Sequence, residues 1–142
     1  MFKIVKFKIT DRLAFKNCLE IRKQVFIGEQ GIPSELEYDD DKVSAEYLLV
    51  MSEGTPVATC RWRITEKGIK MERFAVLKYY RKKGLGSLLV SEALKSVLYL
   101  GLKVYIHSQE GASGFYQKNK FKITGDPFTE AGIKHFCMEY IG

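Results

Sequence analysis

Arg81, Lys82 and Lys83 run directly into Gly84-Leu85-Gly86-Ser87. Adjacent cations followed by closely spaced glycines suit the binding of an anion. If a helix begins at Leu85, its first N–H groups lack intrahelical partners and carry partial positive charge. Small residues there let the backbone approach phosphate oxygens, and Ser87 adds a hydroxyl. Two common nucleotide loops do not fit. No GxxxxGK[ST] occurs, and Gly84-Leu85-Gly86-Ser87-Leu88-Leu89 lacks the last glycine of GxGxxG. The same residues also read as a charged, solvated turn whose glycines ease chain reversal. Taken alone, they leave both readings open.

Other reactive types are sparse. Cys18, Cys60 and Cys137 are odd in number and far apart, with no CxxC pair, so neither a disulfide framework nor a metal site is expected. They read as small buried apolar residues. A nucleophilic cysteine would need a basic partner, and the histidines are His107 and His135. Glu35, Glu37, Asp39, Asp40 and Asp41 crowd into one short stretch. That stretch reads as a solvated loop, or as an attractor for a cationic amine.

These residues must be positioned by regular elements. Val5, Phe7 and Ile9 alternate with lysines as in a strand. Thr10 or Asp11 can cap a helix whose buried face is Ala14, Cys18, Ile21 and Val25. Residues 28–41 read as a loop with one helical turn after Pro33 and Ser34. Strands at 47–51, 57–64 and 69–77, joined by short turns, predict an antiparallel meander. The glycine loop follows directly. A long helix then covers roughly 85–100, with Gly101 as its stop. A strand at 102–107 makes strand, helix and strand a parallel crossover. A short helix over 112–119 and strands at 122–125 and 134–141 complete an α/β (α+β) domain over 1–142. The expected sheet is mixed, mostly antiparallel and six- to seven-stranded, with helices on both faces.

The bulk properties agree with one domain. The chain has 142 residues, 46% hydrophobic, with a net charge of +6. The charge suits an anionic ligand. Tyr79-Tyr80-Arg81-Lys82-Lys83 is the one basic run with aromatics, and the glycine loop explains it better than nucleic-acid binding does. No apolar run reaches the about 18 residues of a membrane span. The charged N-terminus is unlike a signal peptide. The expectation is a cytoplasmic protein.

At the level of motif, Glu72-Arg73-Phe74-Ala75-Val76-Leu77 followed by Arg81-x-x-Gly84-x-Gly86 resembles the central segment of the GCN5-related N-acetyltransferases (GNAT). Phe115-Tyr116-Gln117-Lys118 with Phe121 resembles the family's later FYxKxGF segment. Ile21-Arg22, Val25-Phe26, Glu29-Gln30 and Glu35-Leu36-Glu37-x-Asp39 resemble the small bacterial members of the YjcF and ElaA type, as does the ending from Phe128 to Met138. Two positions depart from the pattern. Lys120 stands where a glycine is usual before Phe121, which predicts a differently shaped turn. Gln109 stands where Asn is common.

The resemblance implies acetyl-CoA as co-substrate and a small-molecule or peptide amine as acceptor, with no metal; a homodimer is compatible with it. It implies that the anion at the glycine loop is the pyrophosphate of coenzyme A. Cofactor contacts then fall to Arg81, Lys82, Lys83, Gly84, Leu85, Gly86 and Ser87. The backbone of Phe74, Ala75 and Val76, with Gln109, would meet the pantetheine arm. A bulge is expected where that strand meets the cofactor, leaving backbone groups free. The N–H of Val76 would polarise the thioester carbonyl.

The attacking amine must be neutral, which calls for a base. Glu72 is the first candidate, with Glu29, Glu37 and His107 as rivals. Tyr116 matches the family's proton donor to the departing thiolate. Glu29, Glu37 and Asp39 are candidate acceptor contacts. Each has a plainer reading: a paired surface Glu for Glu72, a packed strand residue for His107, and an inner-face aromatic for Tyr116. Trp62, between Arg61 and Arg63, reads as sheet packing. Two functions compete with nucleic-acid binding set aside: an acyl-CoA-dependent N-acetyltransferase, and a non-catalytic acyl-CoA-binding or sensing module.

Overall fold

The computed structural model describes residues 1–38 and 44–142. Strand β1 (Phe2–Lys8) leads into helix α1 (Arg12–Arg22), capped by the Asp11 carboxylate, which accepts from Ala14 N–H at 3.1 Å. Ala14, Cys18, Ile21 and Val25 are all buried, as their spacing predicts. The helix does not stop at Gly28. It continues as a π-helical stretch, Lys23–Glu29, and is followed by the short α2 (Ser34–Tyr38). The loop expected to begin at Gly28 therefore begins at Gln30.

Strands β2 (Glu46–Ser52), β3 (Thr55–Thr65) and β4 (Gly68–Val76) form the meander. After it come the glycine loop and α3 (Leu85–Val97), which ends through a 3-10 turn at Gly101, φ +68°. Then follow β5 (Val104–Gln109), α4 (Ser113–Lys118), β6 (Phe121–Ile123), β7 (Phe128–Glu130) and β8 (Ile133–Tyr140). Among the described residues eight strands make one sheet, in the order β1-β2-β3-β4-β5-β8-β6, with β7 also on β8. The sheet is one strand larger than expected because β7 is three residues long and shows no alternation of its own. Among these pairings β4 with β5 is the parallel one.

Alternation along β2 divides the core in two. Leu48 and Val50 face α3 with Leu89, Ala93 and Val97. Tyr47 and Leu49 face α1 with Cys18 and Ile21. Trp62 is buried in the α3-side core, in keeping with sheet packing. None of the three cysteines is in a disulfide; Cys18 and Cys60 are buried and Cys137 is half-buried.

Two features of the backbone position the site. The β3–β4 pairing shifts register between Thr59 and Arg61: Thr59 meets Ala75, whereas Arg61 meets Glu72. One extra residue therefore lies in β4, and Arg73 takes φ +58° there, a bulge. Beside it, the β4–β5 pairing covers Ile69, Lys70 and Met71 and goes no further. The two parallel strands then splay apart. Lys120 corrects an expectation. It adopts φ +71°, so the turn keeps the left-handed shape a glycine would give, at the strain a side chain imposes.

Candidate active site

The splay opens a cleft of about 450 Å³. Glu72, Arg73 and Phe74 of β4 form one wall and His107, Ser108 and Gln109 of β5 the other. Phe26, Gln30 and Glu37 reach it from the π-helical stretch and α2, and Tyr116 from α4. Five of the residues picked from sequence thus meet in one place: Glu72, Phe74, His107, Gln109 and Tyr116. Glu37 lines it too. Glu29 does not, and Asp39 lies outside the described residues. The π-helix helps here. Its wider turn carries Phe26 and Gln30 to the cleft, and Gln109 Nε2 donates to Gln30 Oε1 across it at 2.8 Å.

The glycine loop lies beyond the free end of β4. Gly84 has φ +79°, a conformation costly for any other residue, and caps α3 with no side-chain hydrogen bond. The first turn of α3 carries no acidic side chain. Its leading N–H groups are the unpaired donors expected of a helix start. Lys82, Lys83, Gly84 and Ser87 are exposed and Leu85 is buried. Gly86 is needed for another reason: a Cβ there would sit 2.9 Å from Phe115 Cζ. Arg81 does not simply project outward. Its Nε donates to Val76 O at 3.0 Å and its terminal nitrogen to Glu29 at 2.7 Å. Arg81 and Glu29, given separate roles from sequence, are partners that tie the loop to the π-helix.

Ala75 and Val76 pair with Thr59 and Ala58 of β3 on one side, while their other edge lies beyond the end of the β5 pairing. Glu72 is buried and shared by Arg61 (2.6 Å), Arg63 (3.0 Å) and Lys70 (3.4 Å). Burial pushes its carboxyl up, but Arg61, Arg63 and the nearby lysine and arginine outweigh this and hold it at about 2. Glu37 is likewise buried, 2.8 Å from Arg22 and 3.5 Å from Arg73. Arg61 and Arg22 are the most buried cations; in the sequence Arg22 stands out only as part of the subgroup likeness and Arg61 only as a neighbour of Trp62. Arg61 is the cross-strand partner of Glu72, a signal visible only once the register is known.

His107 is half-buried and packed 5.0 Å from the Phe128 ring, and its Nδ1 is buried with no hydrogen-bond partner among the described residues. Burial, and then the field of Lys70, lower its pKa below 6.5. Tyr116 is buried among Phe74, Phe115 and Phe121. Burial pushes its phenol well above the usual value. Among the described residues, no group of three or more His, Cys, Asp or Glu is placed to hold a metal, and no helix is long and apolar enough to cross a membrane.

The acetyltransferase (GNAT) domain family matches residues 22–141. The Bacillus subtilis protein YyaT is 39% identical over 92% of this chain and 91% of its own. The B. subtilis N-acetyltransferase YjcF is 32% identical over 87% of this chain and 89% of its own. An acyl-CoA N-acyltransferase from Pseudomonas aeruginosa superposes with a TM-score of 0.88 at 25% identity, covering 99% of this chain and 100% of that one.

Proposed function

This chain belongs to the GCN5-related N-acetyltransferase family, and from that premise we propose how its residues carry out the transfer. The enzyme is an acyl-CoA-dependent N-acetyltransferase. The observation that carries the detailed reading is the splay of β4 from β5 between an uncapped helix start and a cleft lined by Tyr116 and His107.

In this reading the pyrophosphate of acetyl-CoA rests on the N–H groups of Leu85, Gly86 and Ser87, with Lys82 and Lys83 beside it. The pantetheine arm enters the splay, taking the open edge of Phe74, Ala75 and Val76, and displaces the Gln109–Gln30 hydrogen bond. The Val76 N–H supports the carbonyl oxygen as it becomes an oxyanion. Cleft walls hold amine and thioester together, which supplies much of the rate by orientation. His107, whose lowered pKa keeps it neutral at pH 7, accepts the amine proton directly or through a water. Glu72 is the weaker base by this argument. A carboxyl at about 2 surrounded by three cations has little tendency to take up a proton, and its service is electrostatic.

Tyr116 stays protonated and donates a hydrogen bond to the departing thiolate. Its raised pKa makes complete proton transfer uphill, so the thiolate takes its proton from solvent after leaving. The test is thiol release from acetyl-CoA with an amine panel. Tyr116→Phe is expected to lower kcat about tenfold or more while the KM for acetyl-CoA stays near that of the parent. Binding of acetyl-CoA with no thiol release from any amine would favour the sensing module instead.

A further inference from the structure

The β7–β8 hairpin places two hydrogen-bond acceptors side by side on the cleft wall. Its turn is tight: Glu130 pairs with Ile133 across Ala131 (φ +51°) and Gly132 (φ +74°). Phe128 pairs with His135 in the same ladder, so Phe128, Glu130, Ile133 and His135 share one face. Glu130, Ile133 and His135 line the cleft. His135 is more than nine-tenths buried, its ring stacked on Phe128 at 5.7 Å. Its Nδ1 lies 2.7 Å from Ile133 O, and a carbonyl only accepts, so Nδ1 carries the hydrogen. In the neutral ring the lone pair is then at Nε2, which faces Glu130 Oε2 at 3.6 Å, beyond hydrogen-bond length.

Glu130 differs from the other cleft carboxylates. Glu37 lies 2.8 Å from Arg22, and Glu72 2.6 Å from Arg61. Among the described residues no lysine or arginine is within ion-pair distance of Glu130. Lys134, on the opposite face of β8, pairs with Glu110 at 3.0 Å. Two acceptors this close, one of them charged, repel each other unless a donor joins both. The place of this seat decides which nitrogen it takes. His135 pairs with Gln109 of β5, and β5 pairs with β4. The seat therefore lies two strand spacings, about 10 Å, from β4 and its open edge. A carboxylate also keeps a neighbouring amine protonated, whereas the attacking amine must give its proton up.

We infer that the acceptor carries a second cationic nitrogen, held between Glu130 Oε2 and His135 Nε2, while its first nitrogen reaches the thioester at β4. The inference rests on the acyltransfer reading of the same cleft. It moves the cation contact from the acidic stretch before residue 42 to the hairpin, since Glu29 is joined to Arg81 and Glu37 to Arg22.

The experiment has two arms on the full chain. The first measures thiol release from acetyl-CoA with butylamine, γ-aminobutyrate, putrescine and cadaverine. The expected kcat/KM of a diamine exceeds that of the other two about fivefold or more, the effect of a charge-assisted hydrogen bond to a half-exposed carboxylate. Glu130→Gln should bring the ratio of diamine to butylamine toward one, through the KM for the diamine, and Glu130→Asp should keep part of it. A ratio near one in the parent, or one unaltered by Glu130→Gln, overturns the inference and leaves acyl transfer intact.

The second arm follows the imidazole nitrogen NMR signals of His135 and His107 in the CoA-bound protein. Putrescine should shift the His135 Nε2 signal and butylamine should not, and Glu130→Gln should abolish the shift. That result with no thiol release from any amine keeps the seat and removes the acyltransfer reading. A His135 ring doubly protonated at pH 7 before any amine is added is itself the cation for Glu130, and overturns the inference. A His135 signal indifferent to putrescine overturns it too.

Discussion

Glu72→Gln deletes the carboxylate that Arg61, Arg63 and Lys70 share, while keeping the volume of the side chain. The folded-state carboxyl titrates near 2 against an ordinary 4.5, so ionised Glu72 favours folding. The stabilisation is complete above 4.5 and is lost as pH falls toward 2. A shift of that size corresponds to about 3 kcal/mol. The variant should lose roughly that much stability at pH 7 in denaturant unfolding. Its deficit relative to the parent should shrink as both are acidified below 4.5. His107 titrates in the opposite functional sense. Its pKa lies below 6.5, so it is a neutral base at pH 7 and gains a proton only in more acid solution. The acid limb of kcat/KM should therefore lie below pH 6.5. His107→Gln should remove that limb and lower kcat about a hundredfold. A variant that retains the limb would move the base elsewhere.

Among the elements, long periodic segments are legible in the sequence and locally strained ones are not. The spacing of Ala14, Cys18, Ile21 and Val25 locates α1, because burial on one face is written into residue type, and the continuous apolar run of β2 with the short turns before and after β3 locates the meander. The bulge in β4 is expected from the family likeness and falls at Arg73, just before Phe74. The π-helical stretch reads as loop from Gly28 onward. Glycine and polar residues weaken helical pattern, and here the packing of Val25 and Phe26 overrides them. The partnership of Arg81 with Glu29 spans 52 residues, so no local pattern could reveal it. The turn at Lys120 is another strained place. Lys120→Gly relieves a left-handed lysine, worth about 1 kcal/mol, less part of the greater chain entropy of glycine. The melting temperature is expected to rise by about 2 °C, read by calorimetry. A fall would mean the lysine side chain makes contacts that outweigh the strain.

At the scale of the whole molecule, the proposed cofactor path lies where the pairing of β4 with β5 ends. Coenzyme A lying in the splay would contact α3, β4, β5 and α4 together, and so stabilise them jointly. A ligand at a hundredfold excess over its Kd adds about 2.7 kcal/mol, which should raise the melting temperature by about 8 °C for a domain of this size. Gly84→Val forces a β-branched residue into φ +79° at the start of α3. Most of that thermal rise should disappear in the variant, with a matching weakening of acetyl-CoA binding by calorimetric titration. An undiminished rise would place the pyrophosphate away from the glycine loop.

The first helix does not keep one phase from end to end. Each residue of an α-helix advances about 100° around the axis, whereas a π-helical turn takes in an extra residue and so advances each one by less. The face that packs Ala14, Cys18 and Ile21 on the sheet keeps Val25 and slips beyond it, so that Phe26 touches both that core and the cleft. That slip lets one helix serve two directions, holding the sheet with its first part and presenting Phe26 and Gln30 to the cleft with its last. The length of this segment matters as much as its composition. One residue more or fewer between 23 and 29 would turn this wall of the cleft around its own axis while leaving every side chain chemically the same.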